Sequence, residues 1–488
     1  MRILFYPLYT SGGDAQKSDH LGNCTTYIYA KNVMRVILAY DPEAYFYFPI
    51  PVDALQTNDL SEVVHPRIKL LPMDINTKQY IGMLEHPKEI ANLFHDRLGR
   101  YMVDVVLTTV QTQACQMRPI FQGIQQFVEP YWVNVIMYGI AEDAQLPEVY
   151  RIQQAAGMMV SDLNVYQSQV SRKRVADSIG LILSSAVSRR ILEAHSDVPI
   201  TSVPMGMLEA VPKKDKPRDS MVVSYGYALH EIYKFKEVFD HFDSAYCAGR
   251  KIRVLATTSS GHFVSRSKFQ TLWETRYKKY FELSYHLSQQ EFWNRASEAH
   301  AFLFLATKAE SSFSVIEQFM LDQVGVFQES SYAREVTYDG YPYICKGSLQ
   351  VATTLRYVLE HYFDSDVQEV LAKQKKFLRD HFDIDVNTRR LWDEIKSKCL
   401  DKRKSICPSK EILDLCKLVG DGKARFTWDE FAEGVKCNSD THINVNKTKR
   451  GACRSYWRFA MQYAGYMDDC QGEDPVFVKQ EDTNDCSR

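Results

Sequence analysis

The sequence predicts an α/β protein: two doubly wound halves in tandem, followed by a small helical module. Three observations carry this. Short β-rich runs alternate with helix-like stretches over the first 200 residues, and the alternation restarts after Pro204. Strands alternating with helices form parallel sheets covered on both faces, and runs such as 2–8 and 302–305 are apolar accordingly. The alternation is used up near residue 398, which leaves about ninety residues, enough for a small appended unit. The implied divisions are 1–205, 206–398 and 399–488.

Residues 2–8 open the chain as an apolar run that ends in Thr10, Ser11, Gly12 and Gly13. Residues 44–50 form a second run, rich in Tyr and Phe and stopped by Pro51. Runs at 68–71, 103–108 and 132–138 follow at spacings that leave room for helices, and 85–98 has helical content. Residues 158–162 and 163–168 read as the closing strands of this half. In the second half, 220–225 is a strand broken by Gly226, 232–241 is helix-like, and 252–256 and 280–283 are strands. Residues 289–300 put Phe292, Ala296 and Ala299 on one helical face. The apolar strand 302–305, a helix start at 314–321 and a short strand at 325–327 follow. Residues 349–363 carry Leu355, Val358, Leu359 and Tyr362 at helical spacing. Ligands of such sheets bind at the carboxyl ends of the strands and in the cleft between halves.

Composition narrows the class. In 488 residues, 45% hydrophobic and 25% charged side chains exclude a disordered, collagen-like or coiled-coil chain. Lys and Arg total 59 against 61 Asp and Glu, so no basic excess announces a nucleic-acid partner. Aromatics reach 12%, which fits a large core or surfaces that stack on planar or sugar rings. No run approaches the roughly 20 apolar residues that span a bilayer. The N-terminal apolar stretch is a first buried strand rather than a signal peptide, which implies a cytoplasmic protein without a membrane partner. The 11 Cys form no CxxC pair, although Cys399, Cys407, Cys416, Cys437, Cys453, Cys470 and Cys486 crowd the end. Zinc ligation is one reading; free thiols in a reducing compartment fit the spacing better.

The motif order over 200–395 resembles one family. Val222 to Tyr225 lead into Gly226, and Lys234 and Lys236 follow. Leu287, Ser288, Gln289, Gln290, Glu291, Phe292 and Trp293 open a helix that runs toward Ala299 and His300. After the strand comes Glu310, Ser311, Ser312, Phe313, Ser314, then Glu317, Gln318, Phe319 and Met320. Asp339, Gly340, Tyr341 and the helix from Leu349, then Phe382 to Asp385 before Leu391 and Trp392, complete the order. This is similar to the C-terminal half of the GT-B glycosyltransferases, which use nucleotide sugars and have two facing Rossmann-like domains. The N-terminal half matches only by topology and by its glycine turn. Two departures stand out: six residues separate Glu310 from Glu317 where the family has seven, and Tyr227 stands where Arg is frequent.

The resemblance implies a donor domain at 206–398 and an acceptor domain at 1–205. The co-substrate is then a nucleoside-diphosphate sugar, a UDP-sugar in first place, with no other cofactor and no metal. A leaving diphosphate needs a cation and aligned N–H donors, which Lys234 and the helix start at Ser311, Ser312, Phe313 and Ser314 would supply. Glu317 would take the ribose diol, because a carboxylate accepts two hydrogen bonds in a fork. Glu310 would orient sugar hydroxyls, and the double-Glu pattern implies retaining transfer. Gly12, Gly13 and Gly226 allow close backbone approach to a ligand. In the loop after the first strand, Asp14 is a candidate base and His20 a candidate contact to acceptor or phosphate. Each residue has a plainer alternative: a helix cap, a solvated carboxylate, a surface histidine. Asp364, Ser365 and Asp366 spell a DxD pattern, read as coincidence at a helix end.

Residues 408–419 and 427–435 read as two short helices of the last unit. Between 441 and 460 lie Lys447, Lys449, Arg450, Arg454 and Arg458 with no acidic residue, interleaved with Tyr456, Trp457 and Phe459. Positive charge with stacking aromatics suits nucleic acid, in a helix-turn-helix-like module. A helical bundle docked on the core is the competing reading. The tail from Asp468 carries seven acidic and two basic residues and is expected to be solvated and flexible. Some bacteriophage enzymes of the GT-B family glycosylate hydroxymethylated pyrimidines in DNA, so double-stranded DNA is a candidate acceptor. A saccharide, lipid or protein acceptor competes, as does a non-catalytic nucleic-acid-binding protein on the same fold.

Overall fold

A computed structural model of the chain describes residues 1–7, 25–57, 60–73, 103–108, 130–135, 181–183, 200–201, 214–225, 237–241, 252–258, 281–285, 287, 289–305, 313–404, 410–423, 425–438, 460–461, 464–469 and 476–479. In the first unit, β1 (Arg2–Tyr6) is buried along its whole length. It lies between β2 (Tyr45–Pro51) and β4 (Val105–Thr108), with β3 (Ile68–Met73) outside β2. Beyond β4 run β5 (Tyr131–Val135), β6 (Leu181–Leu183) and β7 (Ile200–Thr201). All the pairings are parallel. Helices α1 (Thr25–Tyr40) and α2 (Val52–Thr57) flank β2 in sequence.

Two expectations need adjusting. β2 does not stop before Pro51 but runs through Pro49 to Pro51. Its pairing with β1 covers only Tyr45 to Tyr47, so the prolines fall where no β1 partner needs their missing N–H. The sheet closes on β6 and β7, which at three and two residues are too short to show as apolar runs. Residues 158–168, expected to supply those strands, lie outside the described residues, as does 85–98.

The second unit repeats the plan. Strands β8 (Met221–Tyr225), β9 (Ile252–Thr258), β10 (Phe281–Tyr285), β11 (Ala301–Phe304), β12 (Val324–Gln328) and β13 (Ile344–Cys345) form a parallel sheet in the order β10-β9-β8-β11-β12-β13. Counted from its own first strand, the second sheet runs 3-2-1-4-5-6, the order of doubly wound nucleotide-binding folds, and the first runs the same way with a seventh strand added at its end. Its described helices include α3 (Gln289–Ala296), α4 (Phe313–Met320), α5 (Ser331–Val336), α6 (Ser348–Glu360) and α7 (Ser365–His381). No described helix is long and apolar enough to cross a membrane.

Aromatic packing fixes the middle of this unit. The rings of Phe302, Phe319, Phe327 and Tyr341 meet edge-on or stacked around Gly325, and the Tyr341 hydroxyl donates to the Gly325 carbonyl at 2.8 Å. A Cβ at 325 would stand 2.6 to 2.8 Å from the rings of Phe327, Phe302 and Phe319. Glycine is required here by space. Gly325→Ala is expected to destabilise by about 1–3 kcal/mol, the usual range for overpacking a filled core. Urea unfolding of the variant checks this.

The last helix of the unit, α8 (Ile384–Lys404), crosses back to the first unit and packs on α1. Its Trp392 is fully buried and donates its indole N–H to Asp41 at 2.8 Å. Lys396 donates to the same oxygen at 2.9 Å, and the Glu43 amide donates to the other. At the margin, Tyr40 donates to Asp393 and Arg35 pairs with Asp385.

The C-terminal unit contains the two expected helices, α9 (Lys410–Gly420) and α10 (Trp428–Asn438). To these the structure adds a three-stranded antiparallel sheet of β14 (Arg425–Thr427), β15 (Tyr466–Asp469) and β16 (Val476–Lys479), ordered β14-β16-β15. The unit is thus mixed rather than purely helical. The tail is not wholly solvated coil either, since Asp468 and Asp469 lie in β15 and pair with Phe477 and Val476. The run Val476, Phe477, Val478 has the β-branched and aromatic character that favours a strand despite its acidic neighbours. Cys416, Val419, Phe426, Trp428, Phe431 and Met461 form its core. Cys345, Cys399 and Cys416 are buried, and no described group of three or more His, Cys, Asp or Glu is placed to hold a metal.

Candidate functional site

The strand order of the second sheet reverses between β8 and β11. These strands are parallel, pairing Ala301 with Val223 and Phe302 with Ser224, so Tyr225 and Phe304 end at the same edge. A crevice opens at such a switch point. Of the residues singled out in the sequence, Phe313, Ser314 and Glu317 are described here, all on α4, the helix that follows β11. Gly226 follows β8 in the chain, and Glu310, Ser311 and Ser312 precede α4; these lie outside the described residues. So do Gly12, Gly13, Asp14, His20 and Lys234, and in the last unit Lys447, Lys449, Arg450, Arg454, Trp457 and Arg458.

The rotation of α4 is set from inside the core. Val315, Ile316 and Phe319 are buried. Ser224 of β8 donates its hydroxyl to the Gln318 amide oxygen at 2.7 Å, and Gln318 donates to the Ser314 carbonyl at 2.8 Å. One strand terminus is thereby tied to the first turn of α4. With these positions fixed, Glu317 turns toward α3 and is only 6% exposed. A carboxylate on a solvated helix face would not be.

Glu317 is held by neutral donors. The Gln289 side-chain amide, in the first turn of α3, donates to Oε1 at 2.6 Å. The Trp293 indole N–H also lies against this carboxylate, in a geometry short of a regular hydrogen bond. Burial raises the Glu317 pKa; Gln289 and Trp293 pull the other way without cancelling it. No described cation contributes. A desolvated acceptor at a switch point, beside a helix N-terminus, suits a ligand that brings hydroxyl donors and negative charge.

The opposite, amino-terminal edge has a basic cluster with a structural job. Lys216 donates to the Ser297 and Leu321 carbonyls at 2.7 Å each, and burial pushes its pKa down to about 7. His300 accepts from the Val222 amide at 3.1 Å and donates to the Pro217 carbonyl at 2.8 Å, which fixes the neutral ring. These bonds seat residues 214–217 on the sheet. The DxD residues sit where α7 begins: Asp364 bonds His361 at 2.7 Å, and Asp366 accepts from Tyr357 at 2.6 Å. Their carboxylates have local partners.

The architecture can now be set beside known structures. Sucrose-phosphate synthase from Thermosynechococcus elongatus matches with a TM-score of 0.60 at 10% identity, over 81% of this chain and 98% of that one. The Anabaena protein HepE in complex with UDP-glucose matches with 0.54 at 10% identity, over 81% and 100%. Trehalose-6-phosphate synthase from E. coli, bound with UDP-2-fluoro glucose, gives 0.55 at 10%, over 81% and 99%. The chain has the GT-B fold. No protein-family model matches it, and no curated protein does.

In the second unit α4 and α3 meet through Glu317 and Gln289. Sequence reasoning gave Glu317 a role; Gln289, Trp293, Ser224 and Gln318 stood in the motif runs with no role assigned. Gln289 carried a weak signal, as the first residue of an amphipathic helix directly after a strand. Ser224 and Gln318 carried none, because their pairing spans 94 positions.

Proposed function

We propose that the protein is a glycosyltransferase that takes its sugar from a UDP-sugar donor bound by the second unit. The observation that carries this is the buried Glu317 carboxylate on the helix after β11, whose partners among the described residues are neutral. Support comes from the GT-B fold and from neighbours of that fold in complex with UDP-glucose and UDP-2-fluoro glucose. In this reading Glu317 accepts the ribose hydroxyls, and the segment Ser311 to Ser314 with Lys234 takes the diphosphate. Glu310 orients the sugar, and Gly12, Gly13 and Gly226 line the cleft. Asp14 or His20 meets the acceptor. Transfer is retaining and needs no metal. Incubation with UDP-glucose, UDP-galactose and UDP-N-acetylglucosamine should release UDP slowly and faster with acceptor. No UDP release and no nucleotide binding from any of them would reject the reading.

For the acceptor, the basic and aromatic stretch 441–460 favours double-stranded DNA carrying hydroxymethylated pyrimidines. This stretch is inserted between α10 and Ala460, a core residue of the last unit. A truncation that tests it must begin after Lys404. Cys399 is buried against the Asp104 carbonyl of the first unit, and a cut before it would unseat α8. The truncated protein should keep UDP binding and lose salt-dependent DNA affinity and transfer to hydroxymethylated DNA. Undiminished DNA affinity, or transfer to oligosaccharides alone, would assign the acceptor elsewhere.

A further inference from the structure

Glu317 has three rotatable side-chain bonds, and a fork that accepts a diol works only in one plane. Something must hold it. Gln289 donates its amide N–H to one carboxylate oxygen, Oε1, at 2.6 Å. The Trp293 indole stands one turn further along α3 and is buried at its nitrogen. The same ring packs against Ile28 of α1 and Ile384 of α8, so the group beside the carboxylate also touches the first unit. α1 is the first described element after the Gly12–Gly13 segment. We propose that α3 is the positioning element of the donor site: Gln289 locks the plane of the Glu317 carboxylate for ribose, and Trp293 braces that pair against α1 and α8.

This rests on the reading of Glu317 as the ribose acceptor. Gln289 acts through Glu317 and does not itself touch the reacting atoms. A carboxylate locked beforehand loses little freedom when the ribose arrives, so the lock contributes to ribose recognition and hardly to diphosphate binding. The two are separable by comparing UDP with 2′-deoxy-UDP, which lacks one donor to the fork.

Calorimetric titration with both nucleotides tests this on the full chain. The wild type should prefer UDP by roughly 10- to 100-fold, the value of one hydrogen bond to a charged group. In Gln289→Met, which keeps length but has no amide, the preference should fall below about 3-fold while 2′-deoxy-UDP affinity stays near wild type. Gln290→Met, next to it on α3 and bonded to Asn294, should leave the preference intact. Should Gln289→Met fail to fold, Gln289→Asn, which withdraws the amide by one methylene, must show the same collapse. A wild-type preference in a folded Gln289 variant overturns the positioning role and leaves the donor site standing. An equal loss for both nucleotides also overturns it, since that marks a merely structural residue. A wild type that binds UDP without any such preference overturns the role of Glu317, and this inference with it.

Discussion

Glu317→Gln is expected to give a protein that is more stable than the wild type at neutral pH and nearly unable to bind a nucleotide. The stability gain follows from burial. The carboxylate is desolvated, its described partners are uncharged, and its pKa is raised. A raised pKa means that the fold favours the protonated form. That contribution is fully present below the ordinary glutamate value and is lost as pH rises through the higher folded value. Glutamine keeps the shape and accepts from Gln289, but has no charge to bury. Melting temperatures of the two proteins should therefore agree near pH 4 and diverge in favour of Glu317→Gln by pH 8. Binding goes the other way. Two hydrogen bonds from ribose hydroxyls weaken when the acceptor loses its charge, at about 1.5–3 kcal/mol for a charge-assisted bond against about 1 for a neutral one. A fall in UDP affinity on the order of 100-fold is expected. A wild-type melting curve at pH 8 would show that the buried charge is not the liability described here.

The second large effect is at the seam between the units. Asp41→Ala should destabilise the protein by about 1–3 kcal/mol, the range for leaving a buried donor, here the Trp392 indole N–H, without its acceptor. Asp41 is buried and satisfies the Trp392 indole, the Lys396 ammonium and the Glu43 amide. Without it the indole N–H, on a fully buried ring, has no acceptor there. Burial on its own would raise the Asp41 pKa, but the hydrogen bonds from Lys396, Trp392 and Glu43 outweigh it and hold the carboxyl below its usual value. A depressed carboxyl contributes stability that is present above the ordinary aspartate value and lost as pH falls through the folded one. The wild type should therefore lose stability on acidification more steeply than Asp41→Asn. Urea unfolding at pH 7 and at pH 3 measures both. A loss under 1 kcal/mol in Asp41→Ala would mean that α8 is held to α1 by other contacts.

The longer strands of both sheets were legible because parallel strands buried on two faces are apolar throughout, as in residues 302–305; β6, β7 and β13, at two or three residues, were not. α4 was legible because a Ser-rich segment precedes a short apolar run in the sequence. Tertiary partnership was not legible. Gln289 and Glu317 are 28 positions apart, and Asp41 and Trp392 are 351 apart, so no local pattern marks either pair. The small sheet of the last unit was missed for another reason: its strands have three or four residues, and two of them lie in an acidic tail whose composition reads as coil. The near-neutral net charge hid the basic stretch and the acidic tail alike, since they cancel.

The most direct measurement is titration of UDP into the wild type and into Glu317→Ala, with both proteins shown to be folded by circular dichroism. Saturable binding to the wild type, weakened by roughly 100-fold in the variant, is the predicted result. Absence of binding to the wild type, or equal binding to both, would contradict the assignment of a nucleotide-sugar site to the switch point of the second sheet.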